Sequence, residues 1–276
     1  MLRALQTAAA LPLALLVAAA FSPAALSQAA PCTAGTVAGG AAKPFVSAGE
    51  AVEIKTRDNL SLQGSFYAPK KKGYRAPAAL LVHGAGEARA ELEKIGTTLQ
   101  KRGFAVLSID LRGHGGSSTD ECDWSKMSDE DRERTWAYAL RDLAAGATYL
   151  RSRDDVHTSN LSIVGVRSGS AIAARYAKSD ENVRALVMIA PQANELGFNI
   201  SEDLNELGGM PTLILAAKEG RNLAERMQLA AHSANGDHEY VVVKALKKET
   251  GEVLTDKRLN SELGGWLKDT VLPKKR

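Results

Sequence analysis

The chain has 276 residues, of which 45% are hydrophobic and 24% charged, with 35 Lys and Arg against 32 Asp and Glu. This nearly balanced charge argues against a broad nucleic-acid-binding surface. Two short basic runs, Lys70 to Lys72 and Lys274 to Arg276, lie beside a turn and at the chain end, where they fit a solvated surface. The composition is that of a folded protein and excludes a basic nucleic-acid-binding domain.

The first thirty residues are typical of an export signal. Arg3 supplies a positive charge, Leu11 to Phe21 form a short apolar stretch, and the small residues from Ser22 to Ala30 form a cleavage zone. We therefore expect residues 1–30 to be removed after export. The remaining chain, about 246 residues, is then periplasmic or secreted and has no stable membrane anchor.

The chain contains two cysteines, Cys32 and Cys122. An exported protein meets oxidising conditions, in which the two thiols can form a disulfide. A sequence does not show whether the two Cα atoms come within the distance that such a bond requires. Both the disulfide and the free thiols therefore stay open at this point.

From residue 51 onward, short apolar runs alternate with segments of helical period, a pattern typical of parallel strands joined by helices. An alternating pair of runs around Asp58 and Asn59 predicts an antiparallel hairpin at the sheet edge. Six further strands are predicted at Ala78 to His83, Ala105 to Asp110, Leu161 to Val166, Ala185 to Ala190, Thr212 to Ala216 and Tyr240 to Val243. Helical spacing is clearest at Leu92 to Leu99, Trp136 to Leu150 and Leu259 to Leu267. We expect an N-terminal extension at 31–49, one α/β domain over residues 50–273, and a basic tail at 274–276.

Three glycine-containing segments follow three of these strands. They are Leu80 to Gly86, Asp110 to Ser117, and Ile163 to Gly169. Together and in this order they resemble the α/β-hydrolase family, in particular its dienelactone-hydrolase-like and prolyl-peptidase-like serine hydrolases. The resemblance covers about residues 51–271 and implies the α/β-hydrolase fold, an eight-stranded, mostly parallel sheet with helices on both faces and a minimal lid.

The resemblance also assigns roles to the first two segments. The amide of Ala85, after His83 and Gly84, is implied to form part of an oxyanion hole. The two histidines of these segments, His83 and His114, are implied to support their loops and not to carry out chemistry. The second segment is implied to let the chain reverse against the sheet.

The third segment departs from the family at its centre. The family pattern is G-x-S-x-G, with the nucleophilic serine on a tight turn between glycines, whereas Gly165 and Gly169 here enclose Arg167. The alternative register centres Ser168 and replaces the glycines by Val166 and Ser170, a poorer steric fit. We therefore place Arg167, which stays protonated and is no nucleophile, at the tip.

The remaining triad positions are also altered. Where the family has an acid after the seventh strand, the nearest carboxylate here is Glu219, with Glu195 after the sixth strand as a weaker substitute. No histidine follows the eighth strand, because residues 244–251 contain none, and His238 precedes that strand. A variant hydrolase would have to combine Ser168 with Glu219 and a lysine base, Lys247 or Lys248, whose pKa is depressed.

The sequence thus leaves three hypotheses. In the first, the former active site binds an anionic ligand or an acidic group of a partner, through Arg167, the amides of Ala85 and Ser168, and the adjoining Gly84 and His83. In the second, Ser168 acts as the nucleophile of an esterase or peptidase. In the third, Arg167 pairs with an internal acid and closes an unused pocket, in a structural or accessory protein. The three candidate acids are Glu87, Glu195 and Glu219. No cofactor or metal is expected, since the histidines are scattered and the cysteines form no C-x-x-C pair.

Overall fold

The computed structural model describes residue 32 and residues 46–71, 73–234 and 240–272. Its strands are β1 (Glu50–Lys55), β2 (Ser61–Tyr67), β3 (Ala76–Val82), β4 (Ala105–Ile109), β5 (Val156–Val166), β6 (Val183–Ile189), β7 (Asn194–Glu195), β8 (Phe198–Asn199), β9 (Thr212–Ala216) and β10 (Val241–Ala245). Its helices are α1 (Glu93–Lys101), α2 (Asp129–Arg151), α3 (Gly169–Ser179), α4 (Ile200–Asn205), α5 (Arg221–Ala234) and α6 (Leu259–Val271).

Eight of these strands form one twisted sheet in the order β1-β2-β4-β3-β5-β6-β9-β10. β2 runs antiparallel to both β1 and β4, and the remaining pairs are parallel. The carboxyl ends of the parallel strands therefore meet at one edge, where ligands of open α/β sheets bind.

Helices cover both faces of this sheet. Alternate residues of a strand point to opposite faces, so Leu80 and Val82 of β3 pack in one core while Ala79 and Leu81 pack in the other. The first core is completed by α2, α3 and α5, and the second by α1 and α6. α2 is capped by Ser128, the residue before its first, whose hydroxyl accepts from the amide of Asp131.

The predicted fold class is confirmed, and all eight predicted strands are present. β5 begins at Val156, five residues before the predicted Leu161. The hairpin of β7 and β8 and the short α4 were not expected. They lie between β6 and β9, within residues 194–209.

Two cross-links hold the loops of the second predicted motif. Cys32 and Cys122 form a disulfide with Cα atoms 5.0 Å apart, which resolves the question the sequence left open. Arg112 is 1% exposed and bonds the fully buried Asp142 at 2.6 Å and Asp58 at 2.9 Å. The arginine of this motif is therefore a structural residue. Within the described residues, no helix has the length and apolar character of a membrane span. The expected signal, the basic tail and His238 lie outside the described residues.

Candidate active-site region

The turn between β5 and α3 places Arg167 at its tip. Arg167 has φ of 50°, a left-handed conformation that is uncommon for a residue with a Cβ. Its amide donates to the carbonyl of Ile189 at 2.8 Å, and its carbonyl accepts from the amide of Ser170 at 2.9 Å. A non-glycine residue held in this conformation is typical of the strained turn that presents a hydrolase nucleophile. In this chain the turn presents a guanidinium.

The two flanking glycines are required by close backbone packing. A Cβ on Gly165 would lie 2.5 Å from the carbonyl oxygen of Gly169, and a Cβ on Gly169 would lie 2.3 Å from that of His83. Neither distance is tolerated by a real side chain without movement of the backbone. The register with Arg167 between the glycines is therefore the one that the fold adopts.

The guanidinium of Arg167 is bonded within the protein on three sides. Nη1 forms an ion pair with the carboxylate of Glu87. Nε donates to the carbonyl of Thr250 and Nη2 to the carbonyl of Gly251, each at 3.0 Å. The side chains of Arg167 and Glu87 are 17% and 15% exposed, so the pair is largely removed from water. Arg167 thus joins three segments: its own turn between β5 and α3, here called the elbow, the loop after β3 and the loop after β10.

Glu87 occupies the position of a bound anion at this turn. One of its oxygens accepts from Arg167, and the other accepts from the amide of Gly84 at 2.8 Å. A second glutamate lies near the same guanidinium. Oε2 of Glu91 lies 3.7 Å from Nη1 of Arg167. Burial raises the pKa of both Glu91 and Glu195, and the charge of Glu87 raises it further.

One of the two expected oxyanion-hole amides is bonded to a side chain. The amide of Ala85 donates to Oγ of Ser168 at 2.7 Å. Ser168 is 2% exposed, and its hydroxyl oxygen accepts the hydrogen bond that this amide would offer to a substrate oxygen. The amides of Gly84 and Ala85, both expected to contact a ligand, are bonded to Glu87 and Ser168 respectively.

The two motif histidines are buried and fully hydrogen-bonded. Nε2 of His83 accepts from the amide of Leu111 at 3.0 Å, so Nδ1 carries the proton and donates to the carbonyl of Gly84. His114 likewise accepts from the amide of Gly86 and donates to the carbonyl of Arg112. Burial lowers the pKa of His83 to about 3 and that of His114 to about 4. Both rings are neutral supports of their loops, and His83 offers no nitrogen to a ligand.

Glu219 and Lys248, the acid and base of the variant-hydrolase hypothesis, are bonded to other residues. Oε1 of the exposed Glu219 accepts from the amide of Thr250 at 2.8 Å, and that bond contributes to lowering the pKa of Glu219. Nζ of the exposed Lys248 lies 2.7 Å from the carboxylate of Glu252, and this contact raises the pKa of Lys248. A lysine base needs the opposite shift. Among the described residues, no imidazole lies in the loop after β10.

Some contacts of this region could not be read from the sequence. Glu87 was one of three acids considered as a partner of Arg167, whereas no sequence pattern indicated the bonds to the carbonyls of Thr250 and Gly251. Asp256 was also missed. It is 3% exposed and holds the loop after β10 by accepting from the amides of Lys247 and Lys248. Within the described residues, no group of His, Cys, Asp or Glu is arranged to hold a metal ion.

Comparison with known proteins gives the family. The family model of the S33 serine aminopeptidases matches residues 75–243, more than half of the chain. The chain belongs to this family of hydrolases. A protein of Mycobacterium tuberculosis, found in two strains and described as uncharacterized, is 26% identical over 132 residues. That match covers 48% of this chain and 42% of the relative, so it spans less than half of the relative's length.

Several solved structures share the fold of the S33-family chain at low sequence identity. DcsB, solved with a substrate analogue, has a TM-score of 0.63 at 18% identity, over 82% of this chain and 100% of its own. An esterase of Pyrococcus furiosus has a TM-score of 0.62 at 17% identity, over 81% and 91%. An acylaminoacyl peptidase of Pyrococcus horikoshii has a TM-score of 0.64 at 15% identity, over 83% of this chain and 42% of its own. Identities this low support the fold alone.

Proposed function

We propose that this S33-family protein is a non-catalytic member whose former active site binds an acidic group. In the free protein that group is the carboxylate of its own Glu87, and a ligand or partner carboxylate takes the same place when Glu87 moves away. The observation that carries the proposal is the ion pair of Arg167 with Glu87 at the elbow tip.

The chemistry of this position favours an anion. α3 begins directly after Arg167 and Ser168, and the N-terminus of a helix carries a partial positive charge. A guanidinium adds a fixed charge and a planar set of donors that matches a carboxylate. Three nitrogens of Arg167 each make one bond within the protein, and each Nη carries a second N–H. Glu87 lies on the loop between β3 and α1, outside both elements, so its displacement disturbs neither.

The same contacts argue against hydrolysis. Arg167 replaces the nucleophile, the oxyanion-hole amide of Ala85 is bonded to Ser168, and Lys248 is paired with Glu252. Acyl transfer needs a nucleophile, a base and a vacant oxyanion site in one place. The hydrolase alternative therefore requires at least three rearrangements at once.

We also propose that the protein is exported and works in the periplasm or outside the cell. The signal-like first thirty residues support this location. The bond between Cys32 and Cys122 agrees with it, because stable disulfides form chiefly in oxidising compartments.

The test compares thermal melts of the mature wild-type chain, Glu87→Gln and Arg167→Ala in acetate, succinate and inorganic phosphate. Glu87→Gln removes the internal competitor's charge, so succinate should stabilise it more than it stabilises the wild type. At a ligand concentration ten times Kd, the expected increase in Tm is about 3–6 °C. Arg167→Ala should show no such increase. Glu252→Gln, which removes the exposed partner of Lys248, is the matched control and should behave as the wild type does.

Two results would contradict the proposal. Equal melts of wild type and Glu87→Gln with every anion would support the closed, structural alternative. Turnover of p-nitrophenyl esters, or fluorophosphonate labelling, that disappears in Ser168→Ala would instead establish a serine hydrolase.

A further inference from the structure

A second candidate site lies on the face of the sheet covered by α2 and α3. It is an open groove of about 970 Å³, here named the α2 groove. Its lining residues are Lys55, Thr56, Arg57, Leu140, Arg141, Ala144, Ala145, Thr148, Arg175, Tyr176, Lys178 and Ser179. The volume lies within the range of ~300–1,000 Å³ that is usual for small-molecule sites. Arg175 lies eight residues after Arg167, about 12 Å farther along the chain at helical rise, so this groove is separate from the elbow.

The lining carries one sign of charge. Five of the twelve lining residues are Lys or Arg, and none is Asp or Glu. Four of the five cations pair with carboxylates outside the lining: Lys55 with Glu53, Arg141 with Asp58, Arg175 with Asp203, and Lys178 with Asp203 and Glu206. The exposed Arg57 has no carboxylate within ion-pair distance among the described residues. A cleft lined by one sign of charge concentrates ions of the opposite sign. The α2 groove is therefore suited to an anionic ligand.

Two of the cations are held in place by a buried carboxylate. Asp203 is fully buried and is contacted by Nε of Arg175 and, at 3.0 Å, by Nζ of Lys178. The pair with Arg175 uses Nε, so the two Nη groups of this arginine are not consumed by it. A cation that is already oriented loses less conformational entropy when it binds a ligand.

The floor of the groove is apolar. Leu140, Ala144 and Ala145 of α2 line it, and Leu140 and Ala145 also pack partly against the core beneath. Ala144 is exposed. An inorganic ion would leave this surface in contact with water, whereas an alkyl chain would cover it.

We propose that the α2 groove binds an amphiphile with one anionic headgroup, such as a long-chain alkyl phosphate or carboxylate. The alkyl chain lies along Leu140, Ala144 and Ala145, and the headgroup is bound by the surrounding cations. This proposal does not depend on the function assigned to Arg167.

The test uses the full mature protein and dodecyl phosphate below its critical micelle concentration, with binding measured by isothermal titration calorimetry. Two variants alter the groove without removing a core residue or breaking an ion pair of the lining: Arg57→Glu reverses an exposed charge, and Ala144→Glu places a carboxylate on the floor. Each should weaken binding at least tenfold. Arg226→Glu, an exposed charge reversal on α5 outside the lining, should bind as the wild type does. Binding should also weaken as salt is added.

Two further probes separate the contributions of the headgroup and the alkyl chain. Inorganic phosphate and dodecyl maltoside should each bind at least tenfold more weakly than dodecyl phosphate. Equal binding of inorganic phosphate, equal binding of the uncharged detergent, or equal affinity of all three variants and the wild type would overturn the proposal. So would binding of a sulfated glycan by a protein that does not bind dodecyl phosphate.

Discussion

Lowering the pH from 7 to 5 is expected to destabilise this protein through two buried histidines. Burial lowers the pKa of His83 to about 3 and that of His114 to about 4, whereas an unfolded histidine titrates near 6.5. Below about pH 6.5 the unfolded chain therefore binds protons that the folded chain does not bind, and the free energy of unfolding falls as the pH falls. Each histidine accounts for about 2 kcal/mol over these two pH units, or about 4 kcal/mol for the pair.

Guanidinium chloride unfolding at pH 7, 6 and 5 measures this loss, with tryptophan fluorescence as the signal. Trp124 lies 4.6 Å from the His114 ring and reports on the same loop. His114→Asn keeps a donor and an acceptor but cannot titrate, so its loss between pH 7 and 5 should be about 2 kcal/mol, whatever its stability at pH 7. A wild-type free energy that changes by less than about 1 kcal/mol between pH 7 and 5, or an undiminished loss in His114→Asn, would refute the reasoning.

Three further outcomes are expected. A double-mutant cycle of Arg167→Met and Glu87→Gln should give a coupling energy of about 2 kcal/mol in chemical unfolding, because the pair is charged and largely buried; a value below about 0.5 kcal/mol would mean that the pair behaves as a surface ion pair. Gly169→Ala should lose at least about 2 kcal/mol of stability by the same measurement, because its Cβ would meet the His83 carbonyl. The control, Gly251→Ala, has open space around the added Cβ and should stay within about 0.5 kcal/mol of the wild type. Reduction of the disulfide, which spans 90 residues, should lower the free energy of unfolding by about 4–5 kcal/mol, as measured with and without dithiothreitol; no change on verified reduction would contradict this.

The sequence predicts the sheet and the elbow because both follow from local rules. Apolar runs of strand length mark the buried strands, and the glycine pair at 165 and 169 places Arg167 at the tip because no side chain fits at either glycine. The internal partner of Arg167 does not follow from such rules. Glu87 and Glu219 lie on two loops and Glu195 lies in β7, and the choice among them depends on a three-dimensional arrangement that no local pattern encodes.

The contact between Ser168 and Ala85 escaped prediction for a related reason. The two residues are 83 positions apart, and a serine beside a helix N-terminus is ordinarily expected to cap the helix. The β7–β8 hairpin was missed because each of its strands has two residues, too few to show an alternating pattern.

The hydrogen bond from the Ala85 amide to Ser168 Oγ bears on how this lineage can evolve. Restoring a serine at position 167 would still leave the Ala85 amide bonded to Ser168, Glu87 without its arginine, and no histidine after β10. Under the proposed function, each of these changes alone would give no hydrolysis and would disturb an existing contact, so hydrolysis would not return by single steps. On that proposal, descendants of this chain are expected to diversify in what they bind.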